Sequence, residues 1–324
     1  MKRIRIPALL AALLLLLSSC AAPDGGEEPS SAEEGAGEYV TFTDDLGRTV
    51  SLRPPKRVAA MIGSFAEVWC LAGGQESLVA ASGNTWTSYD LGLREDVVNL
   101  GTINEPNLEL LLAAQPDFII ASSNTASNVE LEDTFASAGI PVAYFDVQDL
   151  DDYLRMLERC TQLTGDAESY ERNGLAVQRQ AEAVLARVPK RDAADAPKIV
   201  CLRVSGSSCK VKGSVDNVLG EMLADLGCIN AADSDRTMLD SLSMEAVIAA
   251  DPDYIFAVLQ GSDTTDAQKM LEKSLLANPA WQSLRAVREG NFHLVEHSLY
   301  NLKPNARWGE AYEKLADILY PSEG

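Results

Sequence analysis

Two glutamates stand at matched places in a duplicated stretch. Asn107 to Ala121 reads NLELLLAAQPDFIIA and Ser243 to Ala257 reads SMEAVIAADPDYIFA; the copies lie 136 positions apart and share seven of fifteen residues. Glu109 and Glu245 fall in the first turn of the helix that opens each copy, where a carboxylate complements the positive helix end. Catalytic chemistry is not apparent. The chain has no H-E-x-x-H, no G-x-x-x-x-G-K-[ST], no G-x-S-x-G and no G-x-G-x-x-G. Ser205, Asp216 and His297 form a triad on paper only, since nothing in their spacing supports one. There are two histidines, His293 and His297. A His-rich zinc or manganese site is therefore not expected, and His293, alternating into a strand, reads as a packed residue. Cys70 and Cys160 sit in apolar helical patterns as buried thiols. No C-x-x-C occurs, and a Cys209–Cys228 disulfide is a candidate in an oxidising compartment.

Each copy reads as a short helix, a Pro-Asp turn and a strand. Proline stops the helix, and the aromatic, β-branched run after it suits a strand buried on both faces. A unit of this kind occurring twice predicts two similar α/β lobes. The first lobe, 39 to 149, opens with a hairpin, Tyr39 to Leu52, turning at Asp45-Leu46-Gly47. A buried strand, Arg57 to Ile62, then leads through Gly63-Ser64-Phe65 into a helix. That turn lies at the carboxyl end of a strand, where doubly wound folds bind ligands. Further strands fall at Leu78 to Ala81 and Val142 to Phe145. Residues 150 to 190 are connecting helices. Within them Ala167 to Val188 carries a helical apolar stripe without proline; twenty-two residues span roughly 33 Å, a stiff spacer. The second lobe, 191 to 324, repeats the pattern from strand Lys198 to Val204. The fold class is thus α/β, two doubly wound lobes joined by a single long helix.

The N-terminus addresses the chain. Lys2, Arg3 and Arg5 precede an apolar core from Ala8 to Leu17, too short to span a bilayer as a helix of ~20 residues. Leu17-Ser18-Ser19-Cys20 resembles the lipobox of bacterial lipoproteins. A signal peptide of residues 1 to 20, lipidation at Cys20 and a flexible acidic tether over 21 to 38 are expected. The formal net charge is −21, and from residue 39 onward 24 basic residues face 42 acidic ones. That balance excludes nucleic acid and anionic lipid as partners, both of which need a basic footprint.

Across residues 40 to 320 the order of DDLGRTVSL, PKRVAAMIGSFAEVWCLAGG, the two repeats, VLGEMLADLG, NPAWQSLRAVREGNFHLV and LKPNARWGEAYEKLADILY resembles the periplasmic-type binding proteins of iron–siderophore, haem and vitamin B12 importers. The resemblance implies a class III-type substrate-binding fold and no enzymatic activity. It also implies a monomer that presents a small-molecule ligand to an ABC permease dimer with a cytoplasmic ATPase, and touches the membrane only through its lipid. In that family one glutamate per lobe pairs with permease arginines, which assigns Glu109 and Glu245 to docking. The ligand would sit between the lobes. Candidates are Ser64, Phe65, Trp86, Tyr89, Asn124 and Thr125 from the first lobe, and Arg203, Lys212, Gln260, His297, Tyr300 and Lys303 from the second. Aromatic walls with a few cationic groups suit a large, partly apolar, anionic chelate. For haem, His297 and Tyr300 are candidate axial ligands and Met61 a lesser one. No intrinsic cofactor or metal is expected, and Trp281 and Trp308 read as core. The sequence does not separate siderophore, haem and corrinoid.

Overall fold

The hairpin at the start is organised around one buried carboxylate, which also ties it to the first sheet. β1 (Val40–Thr43) pairs antiparallel with β2 (Thr49–Leu52). Asp44 accepts from the amides of Leu46 and Arg48, from the Arg48 guanidinium, and from the amide of Tyr144 in the first sheet. Phe42 stacks on Phe145 at 6.3 Å, so the hairpin's apolar face closes over that sheet. The structure is a computed structural model and describes residues 38–321 apart from positions 216, 241 and 262. Cys20, the signal segment, the tether as far as Gly37, and Asp216 lie outside the described residues.

The first sheet comprises β3 (Val58–Ala60), β4 (Leu78–Ala81), β5 (Val98–Asn99), β6 (Phe118–Ser122) and β7 (Val142–Phe145), all parallel in the order β5-β4-β3-β6-β7. β3, β4 and β6 are buried at every position. Their unbroken apolar runs are what a parallel sheet covered on both faces requires. Helices α1 (Gly63–Leu71) and α2 (Leu108–Ala113) follow β3 and precede β6. Chain order reverses between β3 and β6, which opens a crevice above their carboxyl ends.

Two helices carry the chain across. α3 (Leu150–Thr164) is capped by Asp149, which accepts from the Asp152 amide at 2.8 Å, and stops at the left-handed Gly165. α4 covers 167–185 as Ala167–Tyr170, one π turn at Glu171–Leu175, and Ala176–Leu185. The expected spacer is therefore present, ending three residues short of Val188. It is not alone: the closing helix packs along it, as described below.

The second sheet joins β8 (Lys198–Val204), β9 (Cys209–Lys212), β10 (Ile229–Asn230), β11 (Tyr254–Leu259) and β12 (Phe292–Val295). β10, β8, β11 and β12 run parallel, with β9 antiparallel on β8. Order reverses again, here between β8 and β11. Helices α5 (Val218–Asp225), α6 (Met244–Ala250) and α7 (Trp308–Leu319) complete this half. α7 lies so close to α4 that a Cβ at Gly309 would meet Gln180 at 2.4 Å, and Arg187 pairs with Glu313 at 2.7 Å. One apolar core runs from Phe42 and Trp69 through Leu157 and Val177 to Met222, Phe256 and Trp308. Trp281 and Trp308 are buried as expected. His293 packs against the rings of Tyr254 and Phe256, but its Nε2 has no partner; the packing role is met without the satisfied hydrogen bond. Burial lowers its pKa. All five cysteines beyond Cys20 are free thiols, so the candidate Cys209–Cys228 disulfide is absent.

The duplicated stretch folds the same way twice, down to its strained turn. Leu111 and Val247 bury the helix face. Gln115 and Asp251, equivalent positions, both take left-handed backbones at φ 47° and 42°, unusual for residues other than glycine. The aspartate after each proline then ties the turn to the neighbouring strand. Asp117 accepts from the amides of Lys56 and Arg57, and Asp253 from the amide of Lys198. A cation closes each unit over the helix's last carbonyls: Arg57 on Ala114 and Gln115, Lys198 on Ala250. These carbonyls have no helical partner of their own.

Candidate functional site

The turn from β3 into α1 is made by close backbone approach. A Cβ on Gly63 would meet the Thr85 amide and the Tyr89 ring at 2.9 Å, and the Gly63 amide donates to Asn84 Oδ1. This packing decides the fate of the residues beside it. Ser64 and Phe65 are buried, Phe65 edge-on to Phe145 at 6.4 Å. They are core residues of α1, not ligand walls, which corrects the sequence expectation: the turn leans into the protein. Trp86, 40 % exposed, lies on a short helix, Asn84–Ser88. Tyr89 is half-buried, and burial, with the Glu67 charge, pushes its hydroxyl pKa up.

Three of the expected residues meet in one cleft. Asn124 follows β6, Arg203 is near the end of β8, and Lys303 precedes α7. With Gln148, Asn217, Val218 and Asn301 they enclose about 500 Å³, within the range of small-molecule sites. Four other surface concavities measure about 200–300 Å³ each. The carboxyl ends of both sheets thus face the same space.

A polar chain links the walls. Asn124 Nδ2 and Gln148 Nε2 both donate to Asp146 Oδ1, and Lys303 Nζ donates to Gln148 Oε1 at 3.3 Å. Opposite, Arg203 Nη2 donates to Asn217 Oδ1 at 3.1 Å, while Arg203 Nε is buried without a partner. Neither cation has a carboxylate within 4.0 Å among the described residues. Burial lowers the pKa of both, that of Lys303 to about 8 despite the nearby Asp146. Burial likewise raises Asp146, only partly offset by the Gln148 amide. A charge leaves water in this way only when something else compensates it.

Gln148, Asn217, Asn301 and Asp146 were not legible as site residues. Asn217 alone carried a signal. It stands at a helix N-cap, yet its side chain makes no capping bond and turns instead to Arg203 and the Gly213 carbonyl.

The other candidates do not line this cleft. Thr125 is the N-cap of Ala126–Val129, and the Gln260 amide is bound to the Val204 carbonyl. Lys212 sits on β9, with its carbonyl taken by Asn230. His297 Nδ1 meets the Leu259 carbonyl at 2.6 Å. A carbonyl only accepts, so in the neutral ring Nδ1 carries the proton and Nε2 keeps its lone pair. Tyr300 is 2 % exposed and donates to the Ala311 carbonyl, and Met61 is 1 % exposed. Both are core residues, which removes them as axial ligands. Ser205 Oγ is engaged with Ser208, and no hydrogen bond joins it to His297.

Glu109 and Glu245 are exposed in the first turns of α2 and α6, beyond N-caps Asn107 and Ser243 that accept from Leu110 and Ala246.

The comparisons agree with this architecture. An iron-uptake system-binding protein of Bacillus subtilis (strain 168) is 24% identical over 215 residues, 65% of this chain and 63% of that protein; the chain spans less than two thirds of this relative's length. A Fe(3+)-citrate-binding protein of the same organism is 24% identical over 257 residues, covering 77% of this chain and 76% of the relative. The solved periplasmic heme-binding protein RhuT from Roseiflexus sp. RS-1 superposes with a TM-score of 0.65 at 22% identity, covering 82% of this chain and 98% of that one. The family model described as periplasmic binding protein matches residues 58–297, from the first strand of the first sheet to the histidine behind β12. Two α/β lobes on one spacer helix, a polar cleft between them and that match together mean that the chain belongs to the periplasmic binding protein family.

Proposed function

We propose that the chain is the extracytoplasmic substrate-binding subunit of an ABC importer. It captures an anionic iron complex, a siderophore chelate or haem, between lobes 39–149 and 191–324 and delivers it to a permease dimer with a cytoplasmic ATPase. Lipidation at Cys20 holds it to the outer face of the cytoplasmic membrane, and Glu109 and Glu245 meet cations on the permease. No bond is made or broken. The observation that carries the ligand class is the pair Arg203 and Lys303: two desolvated cations without a carboxylate partner among the described residues, in a chain of net charge −21. An anionic ligand supplies what they lack. The iron-uptake and citrate-chelate relatives support the same reading.

The test is a titration of tryptophan fluorescence with ferric citrate, a ferric hydroxamate, haemin and cyanocobalamin. Saturable one-to-one quenching by an anionic complex is expected. Binding of none of them, or equal binding of the uncharged corrinoid, would overturn the ligand class.

A further inference from the structure

Asn305 occupies a backbone that few residues accept. Its φ is +52°, and asparagine is among the few non-glycine residues that enter this region. It is 1 % exposed. Its Nδ2 donates to the Ser64 carbonyl at 3.0 Å and to Glu67 Oε2 at 2.6 Å, both on α1 of the first lobe, about 240 residues away in sequence. Two residues earlier Lys303 reaches Gln148, also of the first lobe. Pro304 joins the two with φ at −66°, a rigid link. The segment comes from the second lobe, where His297 is bonded to β11. Its end is nevertheless fastened to the first lobe at two points.

We infer that Asn305 is a positioning residue that clamps the Lys303 loop to α1, so that Lys303 moves with the first lobe while Arg203 moves with the second. The ligand's negative charge then bridges the lobes between two cations on opposite walls, and capture is coupled to their approach. This rests on the importer reading for the identity of the cleft, but the clamp itself is testable without a ligand.

Lys303 faces Asp146 and Asp149 from the first lobe, Asp152 from α3 and Arg203 from β8. Clamped, it stays desolvated and titrates near 8; released, it returns toward water and the ordinary lysine value of about 10.4. The decisive variants are N305G, which keeps the left-handed backbone and deletes the amide, and E67A, which removes one of its two acceptors and leaves the Ser64 carbonyl. Lysine methyl groups labelled with 13C, with K303R for assignment, report the Lys303 pKa in the ligand-free full-length chain. An upward move in N305G, and a smaller one in E67A, is expected. A Lys303 value unchanged in N305G, with the protein folded, overturns the clamp whatever the ligand proves to be.

Ferric citrate affinity provides the second readout. N305G is expected to bind about tenfold more weakly or worse, the scale of losing a hydrogen bond to a buried charged group. In the wild type affinity falls as pH rises through about 8, because free Lys303 loses its charge there; in N305G that fall moves to higher pH. Wild-type protein that binds none of ferric citrate, the ferric hydroxamate and haemin refutes the ligand class proposed above and leaves the methyl-lysine titration to decide the clamp.

Discussion

Replacing Arg203 with methionine should stabilise the empty protein and disable it. Among the described residues the guanidinium has one side-chain acceptor, Asn217 Oδ1 at 3.1 Å, and a buried Nε with none. An unsatisfied buried donor costs about 1–3 kcal/mol, and more when charged. Part of the side chain still meets water, so about 1–2 kcal/mol is the figure to carry forward. Methionine keeps most of the volume and removes the charge; Asn217 Nδ2 stays on the Gly213 carbonyl, but Asn217 Oδ1 loses its guanidinium donor, which takes back about 1 kcal/mol. The net gain is at most about 1 kcal/mol, which for a fold of this size is a rise in Tm of no more than roughly 3 °C. The ligand experiences the opposite sign. Removing one partner of a desolvated charge pair costs about 2–5 kcal/mol of affinity, so roughly 30-fold weakening is the least expected. Calorimetry of the empty protein gives the first number and fluorescence titration with ferric citrate the second. An R203M protein that melts lower than wild type, or binds as tightly, would refute the argument that this arginine is held unpaired for an anion.

Two further outcomes test the matched repeats. Reversing the charge of Glu109 and Glu245 together should abolish uptake by cells while ligand affinity stays unchanged, since both are exposed and neither lines the cleft; loss of affinity in the purified variant would refute the docking role. D253A should destabilise more than D117A, because Asp253 is less exposed and one of its two partners is the Arg285 guanidinium at 2.7 Å, whereas Asp117 holds two backbone amides, and about 1–3 kcal/mol is expected for it. Burial pushes the Asp253 carboxyl up, but the Lys198 amide and Arg285 together outweigh this and leave it below the usual 3.8. Its contribution is therefore complete above that value and lost as pH falls further below it. Urea melts at pH 7 and at pH 2 should differ for wild type by more than for D253A.

The repeats show how far local pattern reaches. Helix, Pro-Asp turn and strand were all legible, because apolar period, a helix stop and β-branched content act within a few residues. The left-handed Gln115 and Asp251 were not, since neither residue type advertises that backbone. The site divides in the same way. Arg203 and Lys303 were legible as cations out of place in an acidic chain, and Asn124 as a polar residue after a buried strand. Ser64, Phe65 and Tyr300 were misplaced because a turn at a strand's carboxyl end can face the cleft or the core. Packing of Gly63 against Thr85 and Tyr89, far along the chain, makes the choice.

Residue order alone determined the class of fold, the two lobes, the spacer between them and the acids repeated on each, all properties of composition and period. Only the tertiary structure decided which polar residues share a cleft. Gln148 joins it 55 residues from Arg203 and 155 from Lys303, Asn217 93 from Asn124, and Asn301 98 from Arg203, and the clamp from Asn305 to Glu67 spans 238. Contacts at such separations depend on how whole elements stack, and no local pattern records that.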